Sequence, residues 1–286
     1  MMAENAQDFS AWIGRTDTVA DLVTASAVSG MSATLDRDDP PPRDGDPLPP
    51  LWHFMLFASK ARQSELGPDG HPTRGGFMPP IALPRRMFAG ARYRFHQPVH
   101  VGEQVRRDAE IIDIAHKTGK TGELVFVKIK YAISGGNGVA IEEEHDVVYR
   151  GATAPAQGPL GEPPEPIDAE WRATVTPDPV MLFRYSALTF NSHRIHYDRA
   201  YTTEQEGYLG LVVHGPLIAT ALVELARRET GDRPLASFAF TAKRALFDLD
   251  PFETVGGLER DGSGFWARAV DHQRALAMDA KGRFSG

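Results

Sequence analysis

The chain has 286 residues, 42% of them hydrophobic and 24% charged, which is the composition of a globular protein with one large domain or two of ordinary size. A net charge of −7 argues against nucleic acid as a partner, since phosphate binding needs a basic face. The absence of cysteine excludes disulfides, a thiol nucleophile and a thiolate zinc site.

The N-terminus, MMAENAQDFSAWIGRTD, lacks the basic start and apolar core of a signal peptide, so a cytoplasmic protein is expected. Residues 12–28 mix polar and apolar positions and predict an amphipathic helix. Residues 36–50 contain six prolines and predict a long loop, because each proline removes a backbone donor. The apolar stretch 51–61 suits a short helix. Residues 71–80, HPTRGGFMPP, form a loop that is a candidate lid or ligand-facing segment.

Strands are predicted at 91–95, 104–115, 124–133 and 140–149, separated by turn signals. The GKT of residues 119–121 lacks the leading glycine of a phosphate loop, since Ile114 stands in its place, and is a hairpin turn. The Pro, Gly and Ala-rich segment beyond residue 151 predicts a linker at 156–175, dividing the chain into residues 1–155 and 176–286. A strand is predicted at 181–190, and four more at 236–247, 252–258, 265–270 and 274–279. Residues 91–103 resemble 243–257 with insertions. That suggests two copies of one unit, an antiparallel sheet wrapped around a helix.

Between them lies the densest polar stretch. Asn191, His193, His196 and Asp198 fall within eight residues, and His214-Gly215-Pro216 follows. Leu217, Ile218, Ala221, Leu222 and Leu225 recur at helical spacing, with Pro216 suited to the first turn and Gly231 to the stop. This helix is apolar nearly all round, which predicts burial rather than a membrane span, since His214, Pro216 and Glu224 interrupt the apolar window. Its N-terminal N–H groups would face whatever the histidine loop binds. Asp198 is expected to cap a short helix through residue 206. His193, His196 and Asp198 are metal-ligand types, but on a loop they have no set geometry, and no metal is expected.

The stretch FNSHRIHYD with the following VVHGPL, and the strand motifs around Phe95 and Phe247, resemble the MaoC-like double-hotdog hydratases and dehydratases. The likeness is strongest to type 2 hydroxyacyl-thioester dehydratases and to mesaconyl-C4-CoA or itaconyl-CoA hydratases. It covers nearly the whole chain and implies an α+β double hotdog, with the N-terminal copy non-catalytic. The implied reaction is reversible hydration of an enoyl-CoA, with a short branched dicarboxylic acyl group, coenzyme A entering with the substrate and no further cofactor. A monomer or homodimer is expected, with no nucleic acid or membrane partner.

In typical members the loop reads Asp-x-Asn-Pro-x-His. Here His196 matches the histidine, while Asn191, His193 and Arg194 take the aspartate, asparagine and proline positions. By this likeness His196 is the base and acid, Asn191 orients water, and the Gly215 N–H holds the thioester oxygen. Arg194, His193, His214 and Tyr185 are expected to meet the substrate. Two other readings stay open: thioester hydrolysis on the same fold, and a non-catalytic acyl-CoA-binding module.

Overall fold

The computed structural model describes residues 8–119, 122–151 and 164–286. Ten strands form one antiparallel sheet in the order β1-β3-β4-β5-β2-β7-β10-β9-β8-β6. They are β1 (Thr16–Leu22), β2 (Arg85–Phe95), β3 (Gln104–Gly119), β4 (Gly122–Gly135), β5 (Gly138–Arg150), β6 (Trp171–Val175), β7 (Leu235–Ala242), β8 (Phe252–Leu258), β9 (Gly264–Val270) and β10 (Leu276–Phe284). Each half has the same internal order, first strand, third, fourth, fifth, second. Of the segments that resemble each other in sequence, 91–103 spans the end of β2 and the connection to β3, and 243–257 spans the connection after β7 and most of β8. The expected α+β double hotdog is therefore present as a duplicated topology.

The halves join where β2 pairs with β7, from Gly90 against Thr241 to Arg94 against Ser237. Gly90 sits at a register shift in β2, and a Cβ there would come within 2.6 Å of the Phe240 carbonyl oxygen. Only glycine lets the two backbones approach so closely at this seam.

Three α-helices are present among the described residues: α1 (Ala25–Thr34), α2 (Pro179–Leu188) and α3 (Gly215–Thr230). α3 carries out the role predicted for residues 217–226. Pro216 lies in its first turn and Gly231 ends it at φ 66°. Its buried face includes Leu217, Ile218, Leu222, Val223 and Leu225, packed against β6, β8, β9 and β10. Each such side chain contributes about 1.5–3 kcal/mol. Glu224, the late break in the apolar pattern, accepts hydrogen bonds from Trp52 Nε1 at 2.9 Å and Arg227 at 2.8 Å, and also pairs with Arg37. It ties the proline-rich loop onto the helix.

Several expectations are corrected. Residues 12–28 are not one helix: β1 pairs with β3 at the sheet edge, and α1 starts after Thr24, whose hydroxyl caps it. Residues 181–190 are not a strand but most of α2, which Asp178 caps at the Met181 N–H with Pro179 in the first turn. The capping pair outweighs the aromatic and β-branched content that suggested a strand. The stretch 51–61 makes only one 3-10 turn, Trp52–Met55. Of the stretch 156–175 expected to be linker, residues 156–163 lie outside the described residues, and its end forms β6, paired with β8.

The two copies also differ. α1 packs on α2 rather than filling its own sheet, and the inner face of the N-terminal sheet is covered by loop residues such as Leu51, Trp52, Phe57 and Ile81.

Candidate active site

The histidine loop runs from the end of α2 to the start of α3. It is shaped by side chains bonding to nearby backbone. Asn191 Oδ1 accepts the His193 N–H at 3.0 Å, and Asp198 Oδ1 accepts the Tyr201 N–H at 3.0 Å, capping the turn Tyr201–Gln205 as expected. His196 is buried, and its Nδ1 lies 2.7 Å from the Val212 carbonyl oxygen. That contact requires the proton on Nδ1 and leaves Nε2 as a free acceptor. His214 caps α3, stacks on His196 with centroids 3.7 Å apart, and places Nε2 2.8 Å from the Ser186 hydroxyl. Gly215, next in sequence, opens the helix, and its N–H has no acceptor among the described residues.

The sequence reading placed His71 in a candidate ligand-facing loop but gave it no role, and missed Asp69 and Gly70. These residues come from the N-terminal half and dock onto the histidine loop. Arg194 N–H donates to the Asp69 carbonyl at 2.9 Å, and the Ser192 hydroxyl donates to the Gly70 carbonyl. Gly70 has φ +89°, and a Cβ there would lie 1.9 Å from the Ser192 carbonyl oxygen. The contact delivers His71 to His193, ring centroids 4.2 Å apart, and His193 stands edge-on to His196 at 5.5 Å. A continuous array results: Asp69, His71, His193, His196, His214 and Ser186. Its available signal was the Asp69-Gly70 turn pair beside a histidine, next to the loop already identified as ligand-facing.

Burial pushes all four histidines below their ordinary pKa. For His196 it reaches about 4, despite the opposing Val212 hydrogen bond. His214 and His193 are pushed well below 6.5, first by burial and then by neighbouring histidines. His71 is lowered by burial, against the pull of its Asp69 contact. Burial works to raise Asp69, but the His71 hydrogen bonds outweigh it and hold the carboxyl at about 2. At neutral pH the array is an ionised carboxylate followed by four neutral imidazoles.

The remaining expected residues fall into two groups. His193 is half-buried and lines a cleft with Asp69, Arg85, Arg86, Ile195, Glu206 and Tyr208. Tyr185 and His214 are about 1% exposed; His214 stacks on His196, and the Tyr185 ring lies 4.9 Å from His214. The Arg194 guanidinium is held by Asp198 at 2.7 Å and the Pro68 carbonyl at 3.0 Å, over the Tyr201 ring. It clamps the loop and is not free for an anion.

Asp69, His71 and His193 also hold potential metal-ligating atoms within 4.8 Å of one another. Asp69 Oδ2 already contacts His71 Nδ1 at 3.1 Å, and the charge of Arg86 bears on both histidines. Both features oppose a divalent cation.

Comparison with known proteins identifies the family and the fold. Residues 51–248 match the family model described as hydroxyacyl-thioester dehydratase type 2. The mesaconyl-C(4)-CoA hydratase of Chloroflexus aurantiacus is 49% identical over 275 residues, covering 96% of this chain and 97% of that protein. The mitochondrial hydroxyacyl-thioester dehydratase type 2 of Schizosaccharomyces pombe is 28% identical over 204 residues, 63% of this chain and 67% of that one. Among solved structures, HtdX of Mycobacterium tuberculosis superposes with a TM-score of 0.68 at 18% identity, covering 95% of this chain and all of that chain. A second Mycobacterium tuberculosis protein, described as having a double hotdog fold, gives 0.59 over 94% of this chain and 95% of that one, at 13% identity.

Proposed function

This chain belongs to the hydroxyacyl-thioester dehydratase type 2 family and is a hydro-lyase of acyl-CoA thioesters, and we propose that its substrate is a short branched dicarboxylic monothioester, mesaconyl-C4-CoA. The observation that carries the substrate is the 49% identity to the Chloroflexus aurantiacus enzyme across nearly the full length of both chains.

In the proposed mechanism the neutral Nε2 of His196 takes a proton from water as the oxygen bonds to C3 of the enoyl thioester. The C2=C3 electrons move toward the thioester, forming an enolate. The Gly215 N–H, at the positive end of α3, holds the enolate oxygen. Such a donor is worth roughly 3–4 kcal/mol in the transition state. The imidazolium then returns its proton to C2, directly or through the water shell, and one molecule of water has been added. Asn191 orients the attacking water through its amide, the oxygen being held by the His193 N–H. Asp69 and His71, from the N-terminal half, stand against His193, which faces His196 edge-on, and help to hold its ring in place. The N-terminal half thus contributes to the site as well as to the scaffold.

The test follows the enoyl-thioester absorbance with mesaconyl-C4-CoA, itaconyl-CoA and crotonyl-CoA, with a thiol reagent in parallel. Loss of the enoyl band without thiol release, fastest for mesaconyl-C4-CoA, is expected. Equal rates for crotonyl-CoA would sink the substrate assignment, and thiol release would point to hydrolysis.

A further inference from the structure

The narrow cleft beside His193 holds one cation with no protein partner among the described residues. Arg86 lies on β2 opposite Tyr149 of β5, so both side chains lie on the same face of the sheet, and it lines the cleft with Asp69 and His193. Its guanidinium has no hydrogen bond or ion pair to protein among the described residues. Every comparable arginine nearby is engaged. Arg85 faces Glu206 at 3.4 Å, Arg194 is held by Asp198, and Arg74 donates to the carbonyls of Ile81, Leu83 and Pro84.

The two carboxylates of the cleft are committed too. Asp69 accepts from His71 through both oxygens, and Glu206 accepts from the Tyr201 hydroxyl at 3.0 Å while facing Arg85. A half-buried guanidinium among neutral imidazoles, with no anion assigned to it, is a receptor for one.

We propose that Arg86 binds the free carboxylate of the substrate and so sets the preference for dicarboxylic monothioesters. This rests on the substrate reading above. Mesaconate esterified on one carboxyl keeps the other attached to the double bond undergoing hydration, so that anion lies close to the catalytic histidine, and His193, edge-on to His196 at 5.5 Å, links that position to the Arg86 cleft. The fork of the guanidinium matches a carboxylate in two-point contact, fixing the plane of the double bond against His196. Arg86 is a substrate-binding residue here, and Arg194, the earlier candidate for this role, is not.

The experiment compares kcat/KM for mesaconyl-C4-CoA and crotonyl-CoA, which lacks the carboxylate, in wild type, Arg86→Ala and Arg86→Lys. Arg86→Ala should lose about 100-fold or more on mesaconyl-C4-CoA. Its loss on crotonyl-CoA should be at least about tenfold smaller, with circular dichroism reporting that the variant is folded. Arg86→Lys should recover part of the loss, since it keeps the charge without the fork. If wild type prefers mesaconyl-C4-CoA and Arg86→Ala retains that preference, or loses both substrates equally, this assignment is overturned while the substrate reading stands. If wild type shows no preference for the carboxylate, the substrate reading fails and this inference falls with it.

Discussion

His196 lies nearly flat on His214, with ring centroids 3.7 Å apart and planes 18° from parallel. Two imidazoles so close in a buried setting cannot both carry charge, and burial disfavours even one. His214 is fixed by Ser186 on one edge and by the Tyr185 ring, tilted 56° to it at 4.9 Å, so it is a rigid neutral plate beneath His196. Burial keeps the base unprotonated over the whole neutral range.

That arrangement predicts acid sensitivity. His196 has a folded pKa of about 4 against an ordinary value of 6.5, and His71, His193 and His214 are shifted the same way. Below 6.5 the unfolded chain binds protons that the folded one refuses, so the stability is fully present above that pH and lost as pH falls. Each fully shifted histidine costs about 1.4 kcal/mol per pH unit in this window. Asp69, held at about 2, adds a further loss below its ordinary 3.8. Urea unfolding at pH 8, 7, 6 and 5 should show a plateau and then a steep fall. A flat profile down to pH 5 would contradict the neutral array.

The docking of Gly70 on Ser192 predicts a second outcome. Gly70→Ala meets both a positive φ and a backbone clash, so the Asp69–His71 segment must move away from the loop. A shift of about 1 Å in a positioned group is enough for a roughly 100-fold loss of rate. kcat/KM should fall by about that factor while the chain stays folded by circular dichroism. An unchanged rate would show that the N-terminal segment is dispensable.

A third prediction concerns Phe190, which follows α2 with φ 49° and is 60% exposed. Helices usually place glycine at this position, and a bulky residue there costs about 1–2 kcal/mol. With little packing to lose, Phe190→Gly should raise stability by about 1 kcal/mol, read from the denaturation midpoint at constant slope. A lower midpoint would mean that the exposed ring is supported in solution.

Much of this site was legible because α3 announces itself: Pro216 starts it, Gly231 stops it, and an unbroken apolar register lies between. The loop before it is equally plain, since Asn191, His193, His196 and Asp198 within eight residues are not a core pattern. α2 was obscured because Leu, Phe and Tyr fit either element, and only the Asp178-Pro179 cap distinguishes them. Asp69, His71 and Arg86 lie more than 100 positions from His196 in sequence. Their arrival depends on the β2–β7 seam and on Gly70, and no local pattern encodes that pairing.

The most direct test of the account is the hydration rate of mesaconyl-C4-CoA by His196→Ala beside wild type, followed by enoyl absorbance, with circular dichroism confirming the fold of each. Removing the only group assigned to move the proton should lower kcat by about 100-fold to 10,000-fold, with KM little changed. A folded His196→Ala variant with a kcat within a few-fold of wild type would contradict His196 as the acid and base of this enzyme.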